Sequence, residues 1–199
     1  MREPLVSVVI PCFNAARYVA ETLSSVLAQT YPRLEVIVVD DGSTDGTLDV
    51  LHSFREAVTV VRHDRNRGVA AARNTGAGLA RGEFLAFVDA DDLWTPQKLT
   101  RQIEAASEPD VVLLVHTDLG YIDETGAPHP RPWPMWTTAD GDCFAELLRS
   151  NGVAASAALV RRPAFERCGG FEEGLRGTED YHLWLRLTLR GRCGGSPSP

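Results

Sequence analysis

Four short apolar runs, Leu5–Ile10, Leu34–Val39, Val58–Val61 and Glu83–Val88, are separated by stretches with helical spacing. This alternation restricts the fold more than any other feature of the chain, because strands that alternate with helices build a parallel α/β sheet. The runs are rich in valine and isoleucine, as strands buried on both faces are. After the first run, Tyr18, Val19, Thr22, Leu23, Val26 and Leu27 fall on one face of a helix expected over 15–29, which Tyr31-Pro32 ends. A second helix is expected to reach Phe54 with Ser43 or Thr44 as its cap, and an alanine-rich third to run from about Val69 to Ala80. In such sheets ligands bind at the carboxyl ends of the strands. Three runs end in Phe13-Asn14, Asp40-Asp41 and Asp89 to Asp91, which are expected to meet in one crevice.

The fourth run stops at Asp89, Asp91 and Asp92, three carboxylates within four residues. Buried without partners they would repel one another and lose their hydration. A hard cation removes the difficulty, and Mg²⁺ or Mn²⁺ takes one or two carboxylates when it also holds substrate phosphates. An acidic turn ahead of a helix expected from Pro96 to Ala106 accounts for the same residues equally well. The formal charge is −7 with no basic stripe, which argues against a nucleic-acid partner and against simple adsorption to anionic membranes. An anionic substrate stays open, because a divalent cation supplies positive charge locally. Cys12, Cys143, Cys168 and Cys193 form no CxxC pair and no compact disulfide framework, so reduced thiols are expected. Pro11 breaks the first apolar run too early for a signal peptide, and no run reaches membrane-spanning length.

The second half is less regular. A strand is expected over 110–116, a hairpin at Gly120–Ile122 with the turn at 123–126, and an ordered loop over the site from Ala127 to Thr138. A helix over 140–149, a strand over 154–160 and a short helical turn over 162–167 follow. Gly169-Gly170-Phe171 reads as a tight loop, Thr178 as the cap of a last helix over 179–189, and 191–199 as a disordered Gly/Ser/Pro tail.

Five segments, in this order, resemble the family 2 glycosyltransferases of GT-A fold. They are Val8-Val9-Ile10-Pro11-Cys12-Phe13-Asn14, Val38-Val39-Asp40-Asp41-Gly42-Ser43-Thr44-Asp45, and Asn66-Arg67-Gly68-Val69-Ala70-Ala71-Ala72-Arg73-Asn74-Thr75-Gly76. Phe87-Val88-Asp89-Ala90-Asp91-Asp92 looks like that family's DxD motif, and Gly169-Gly170-Phe171 precedes Thr178-Glu179-Asp180-Tyr181-His182-Leu183-Trp184-Leu185-Arg186. One such motif is weak and five in register are strong. The resemblance implies a mainly parallel central sheet with helices on both faces. It implies one GT-A domain over 1–190, with a Rossmann-like nucleotide-binding half to about residue 92 and an acceptor-side, catalytic half over 93–190.

By the same resemblance, Asp41 meets the base of a nucleotide-sugar donor, a UDP-sugar foremost, with Pro11 and Phe13 as the wall around it. Gly68 and Arg73 face the donor; a surface ion pair suits Arg73 equally. Asp40 reads as a turn residue, and Ser43 and Asp45 as caps. Placed on a loop, Asp41 is expected to bear on donor binding and not on fold stability. Asp89 meets the ribose or the metal, Asp91 holds Mn²⁺ or Mg²⁺, and Asp92 caps the next helix. Asp180 matches the catalytic base with Glu179 beside it, although Thr178-Glu179-Asp180 is also a good helix start without chemistry. His116, His129 and His182 read as structural, and Trp133 and Trp136 either stack on an acceptor sugar or pack their loop. The implied activity is metal-dependent, inverting transfer from a nucleoside-diphosphate sugar to a glycan or lipid-linked acceptor in cell-envelope polysaccharide synthesis. The implied setting is the cytoplasm, at the inner face of the membrane, compatible with peripheral membrane association and with a homo-oligomer. A module of the same fold that binds nucleotide or carbohydrate without turnover is the competing class. A nucleotidylyltransferase lacks its glycine-rich opening here, and a Rossmann dehydrogenase its GxGxxG turn.

Overall fold

The computed structural model describes residues 3–106, 112–123, 125–128 and 141–196. Strands β1 (Val6–Cys12), β2 (Leu34–Asp40), β3 (Thr59–Arg62) and β4 (Phe84–Phe87) are the four apolar runs. They alternate with helices α1 (Val19–Leu27), α2 (Thr47–Ser53) and α3 (Val69–Leu79). After them come α4 (Lys98–Ala105), β5 (Val112–Thr117), the single turn α5 (Phe144–Leu147) and a 3-10 turn at Ala155–Ala157. Strand β6 (Ala158–Arg161), helices α6 (Arg162–Arg167) and α7 (Glu179–Thr188), and strand β7 (Arg192–Ser196) complete the order.

All seven strands join one sheet in the order β3-β2-β1-β4-β6-β5-β7. The first four are parallel, β6 runs antiparallel to both β4 and β5, and β7 is parallel to β5. The alternating pleat of β1 divides the core. Val6, Val8 and Ile10 pack with Val19, Leu23 and Val26 of α1 and Leu99 of α4 on one face. On the other face Val9, Leu85 and Phe87 pack with Ala70 and Ala77 of α3, Phe165 of α6, and Leu183 and Trp184 of α7. Gly76 lets α3 approach β1, since a Cβ there would lie 2.4 Å from a methyl of Val9.

Register brings the expected crevice together. Cys12 lies opposite Asp40 and Val9 opposite Phe87, so β1, β2 and β4 release their chains at one edge. The structure corrects several expectations about the rest. The expected disordered tail instead forms β7 over 192–196. Its pairing is made by backbone groups with two glycines in the strand, which leaves no apolar pattern to read. The helix expected over 140–149 shrinks to α5, because Ser150, Asn151 and Gly152 favour a turn. The strand expected over 154–160 opens as a 3-10 turn. The hairpin near 122 is an isolated bridge from Ile122 to Pro128, with the Gly126 N–H closing its turn on the Asp123 carbonyl at 2.9 Å. Most of the loop expected over 127–138, with His129, Trp133 and Trp136, lies outside the described residues.

Cys143 and Cys193 form a disulfide with their Cα atoms 6.0 Å apart, contrary to the expected reduced thiols. Their 50-residue separation offered no spacing signal. The caps differ too. Helix α2 starts at Thr47, and the Asp45 carboxylate accepts its N–H at 3.0 Å. Ser43 and Thr44 bond Asn14 instead, tying the β1 and β2 exits together. Thr178 makes no side-chain cap bond to α7. Helix α4 begins after Gln97, so Asp92 does not cap it; the Asp92 N–H closes a turn on the Asp89 carbonyl at 3.0 Å.

Candidate active site

Pro11 is the penultimate residue of β1, opposite Val39, and Phe13 follows on the exit loop, 48% exposed. Across from them, Asp40 ends β2 and accepts the Ser43 N–H at 3.2 Å, which is the turn role expected of it. Asp41 is buried, and its carboxylate holds protein groups. Oδ1 accepts from the Arg67 N–H at 2.9 Å and lies 2.6 Å from His63 Nδ1; Oδ2 accepts from the Gly68 N–H at 2.8 Å. Asp41 therefore anchors the loop that leads into α3, a stability role the sequence reading did not expect. Gly68 has φ 95° with open space where a Cβ would sit, so the backbone conformation, not crowding, calls for glycine. His63, whose Nε2 lies 3.0 Å from the Thr75 hydroxyl, completes this anchor and belongs to none of the five motifs.

Arg73 joins three of the motifs. It sits on the buried face of α3 and is 3% exposed, so a surface ion pair is excluded. Nη2 donates to Asp89 Oδ1 at 2.6 Å, and Nη1 donates to Glu179 Oε1 at 2.9 Å. The guanidinium also lies 5.4 Å from the centre of the Phe171 ring, in the Gly-Gly-Phe loop. Asn74 fixes that loop, accepting from the Phe171 N–H at 2.9 Å and donating to its carbonyl at 2.8 Å. The ends of β4, α3 and α7 thus close on one another.

Asp89 is half exposed, and its N–H donates to Ser156 Oγ at 3.0 Å. Asp91 is exposed and lines a cleft of about 350 Å³ with Tyr18, Glu21, Leu93 and Ile122. Burial pushes the Asp92 carboxyl up, and so do its neighbours Asp89 and Asp91. Among the described residues, no group of three or more His, Cys, Asp or Glu side chains is arranged to hold a metal ion. Two carboxylates at a strand end do fit Mg²⁺ or Mn²⁺ whose remaining ligands are substrate phosphates and water. They do not fit an ion caged by protein alone.

Asp180 opens α7 beside Glu179. Burial raises its carboxyl above the ordinary range, while the Tyr181 N–H, 2.6 Å from Oδ1, and the nearby Arg73 charge hold it down. Glu179 is buried, and its Oε2 has no hydrogen-bond partner. The arrangement places a partly exposed pair of carboxylates at one end and a basic carboxylate at the other, with a fixed guanidinium between. Of the remaining histidines, His116 is buried on β5 and His182 lies on α7 with Nδ1 buried and unbonded.

The family described as Glycosyl transferase family 2 matches residues 7–169. The putative teichuronic acid biosynthesis glycosyltransferase TuaG of Bacillus subtilis (strain 168) is 32% identical over 193 residues, covering 95% of this chain and 74% of that protein. The crystal structure of S. aureus TarS 1-349 in complex with UDP superposes with a TM-score of 0.78 at 26% identity, covering 98% of this chain and 57% of that one. The mannosyltransferase PcManGT from Pyrobaculum calidifontis, in complex with GDP-Man and Mn²⁺, gives a TM-score of 0.75 at 27% identity, covering 100% of this chain and 56% of that one. Two further curated relatives are spanned for 58% of their length.

Proposed function

The chain belongs to glycosyl transferase family 2, and from that premise we propose that it transfers a sugar from a nucleoside-diphosphate sugar to an acceptor hydroxyl, with inversion. The observation that carries the proposal is the Arg73 guanidinium, bonded at once to Asp89 and to Glu179, the neighbour of Asp180. A chain that only bound nucleotide would have no use for a basic carboxylate next to the Glu179 that Arg73 links to Asp89. Pro11, Phe13, Asp41 and Gly68 hold the nucleotide. Asp91 and Asp89 would hold Mn²⁺ or Mg²⁺, which when bound would supply positive charge against the diphosphate leaving group. Arg73 holds Asp89 in place through the 2.6 Å bond to its Oδ1. Asp180 takes the proton of the acceptor hydroxyl as that oxygen attacks the anomeric carbon. One base and one in-line displacement convert an α-linked donor into a β-linked product.

Relatives named for teichuronic acid biosynthesis and for a diphosphoundecaprenol acceptor support a role in cell-envelope polysaccharide synthesis with a glycan or lipid-linked acceptor. Among the described residues no helix is long and apolar enough to cross a membrane. The test is a screen of UDP- and GDP-sugars with Mn²⁺ or Mg²⁺, read by thermal shift and by nucleoside diphosphate release. Metal-dependent stabilisation and release with one donor class is the expected result. No stabilisation by any nucleotide, with or without metal, overturns the proposal.

A further inference from the structure

Asp180 is met by a segment that lies outside the five motif segments. Asn151 Nδ2 lies 3.5 Å from Asp180 Oδ1, a long hydrogen bond of the kind that tightens when a site is loaded. The amide is oriented from behind, because the Val153 N–H donates to Asn151 Oδ1 at 3.2 Å. A flipped amide would lose both contacts. The segment is fastened to α7 on either side of Asn151. Tyr181 Oη donates to the Leu147 carbonyl at 2.5 Å, and Trp184 Nε1 donates to the Val153 carbonyl at 2.8 Å. Leu147, Val153 and Trp184 are all buried. The segment is thereby tied to α7 at Leu147 and at Val153, on either side of Asn151.

Asp180 Oδ1 is thereby engaged by the Tyr181 N–H and by Asn151, and Oδ2 has no bonded partner among the described residues. We propose that Asn151 is a positioning residue for Asp180, fixing Oδ1 so that Oδ2 takes the acceptor proton. The inference rests on the reading of Asp180 as the base. The charged groups facing Asp180 are Arg73 from α3, Glu179 on its own helix and Asp89 at the end of β4. All three stay unchanged in the variants below.

Asn151→Ala removes the donor, and Asn151→Asp keeps the acceptor for Val153 while turning a like charge toward Asp180. Losing a hydrogen bond to the charged form raises a carboxyl pKa, and a like charge raises it further. In ligand-free protein, the carbon-13 titration of the Asp180 carboxyl should therefore move upward in Asn151→Ala and further in Asn151→Asp. In turnover, with the donor scored by nucleoside diphosphate release, kcat should fall about tenfold, the acidic limb should shift the same way, and donor KM should hold. Asn151→Asp guards against misfolding, since it retains the Val153 contact. An unmoved Asp180 titration in both variants overturns the proposal. If Asp180→Asn retains turnover, the base assignment itself fails, a separate outcome from failure of Asn151 alone.

Discussion

Arg73 on α3 and Glu179 at the start of α7 stand 106 residues apart in sequence and meet at 2.9 Å in the interior. The same guanidinium holds Asp89, so removing it leaves a buried carboxylate and a half-buried one without their cation. Breaking a buried pair from one side costs roughly 3–5 kcal/mol. Arg73→Ala should lower stability by that order in urea unfolding. Arg73→Lys should recover only part of it, because an ammonium cannot span two carboxylates as a planar fork does. A wild-type midpoint in Arg73→Ala would remove the strut from the account.

The β1 to β4 half of the sheet was legible because its signals are local. Each of β1 to β4 is an apolar run cut off by loop formers, and period alone locates it. The pairing of Arg73 with Asp89 and Glu179 was not legible, since nothing local marks an arginine one turn into an alanine-rich helix as buried. His63 lies outside the motifs, and its function is visible only from Asp41 at 2.6 Å. Strand β7 and the Cys143–Cys193 bridge share a reason: both depend on a pairing across the chain that no periodicity records.

Asp41→Ala is expected to cost stability as well as donor affinity. The Arg67 and Gly68 N–H groups lose their acceptor, and a hydrogen bond to a charged group contributes about 1.5–3 kcal/mol. Differential scanning calorimetry of the ligand-free variant should show a lower melting temperature. An unchanged value would mean that water replaces the carboxylate and that the loop does not depend on it.

Lys98 is buried against the Trp94 ring, 4.0 Å from its centre, and burial lowers its pKa from 10.5 to about 7. The unfolded chain keeps that proton up to about pH 10.5, whereas the folded chain releases it above about pH 7. Across this window the unfolded state binds more protons, so stability from this group rises with pH; below about 7 both states are charged and the penalty is constant. Lys98→Met should flatten the rise of unfolding free energy between neutral and alkaline pH. Its absolute stability is no guide, because Gln102 Oε1 loses its 2.7 Å donor. An identical pH slope in the variant would show that Lys98 titrates as an exposed lysine does.

Reduction of Cys143–Cys193 should loosen the attachment of β7 beside β5. The cystine closes a loop across 50 positions, and such links typically contribute about 2–4 kcal/mol. Urea unfolding with and without dithiothreitol should differ by that amount, and Cys193→Ser should match the reduced protein. Four titratable thiols in the denatured, unreduced protein would show that the bridge does not form.

Variants at Asp180 and Asp91 test whether chemistry and binding are divided between these two residues as proposed. Asp180→Asn keeps size and the Tyr181 N–H contact, and asparagine starts a helix as well as aspartate does. It removes only the capacity to take a proton, whose loss costs roughly a hundredfold to ten-thousandfold in rate. Nucleoside diphosphate binding with Mn²⁺, by calorimetry, should survive in Asp180→Asn while transfer collapses. Asp91→Asn should lose both, because the exposed carboxylate beside the cleft no longer anchors the cation. Burial raises the Asp180 carboxyl, so the wild-type rate should fall on the acid side at a pH above the ordinary aspartate value of 3.8. If Asp180→Asn transferred at the wild-type rate, Glu179 would be no ready substitute. Its Oε1 is committed to Arg73 and the residue is buried. A water-relayed base or a second carboxylate would then have to be sought at the site. If Asp91→Asn bound nucleotide normally, the cation would have to be held by Asp89 alone, whose Oδ1 is already bonded to Arg73 at 2.6 Å.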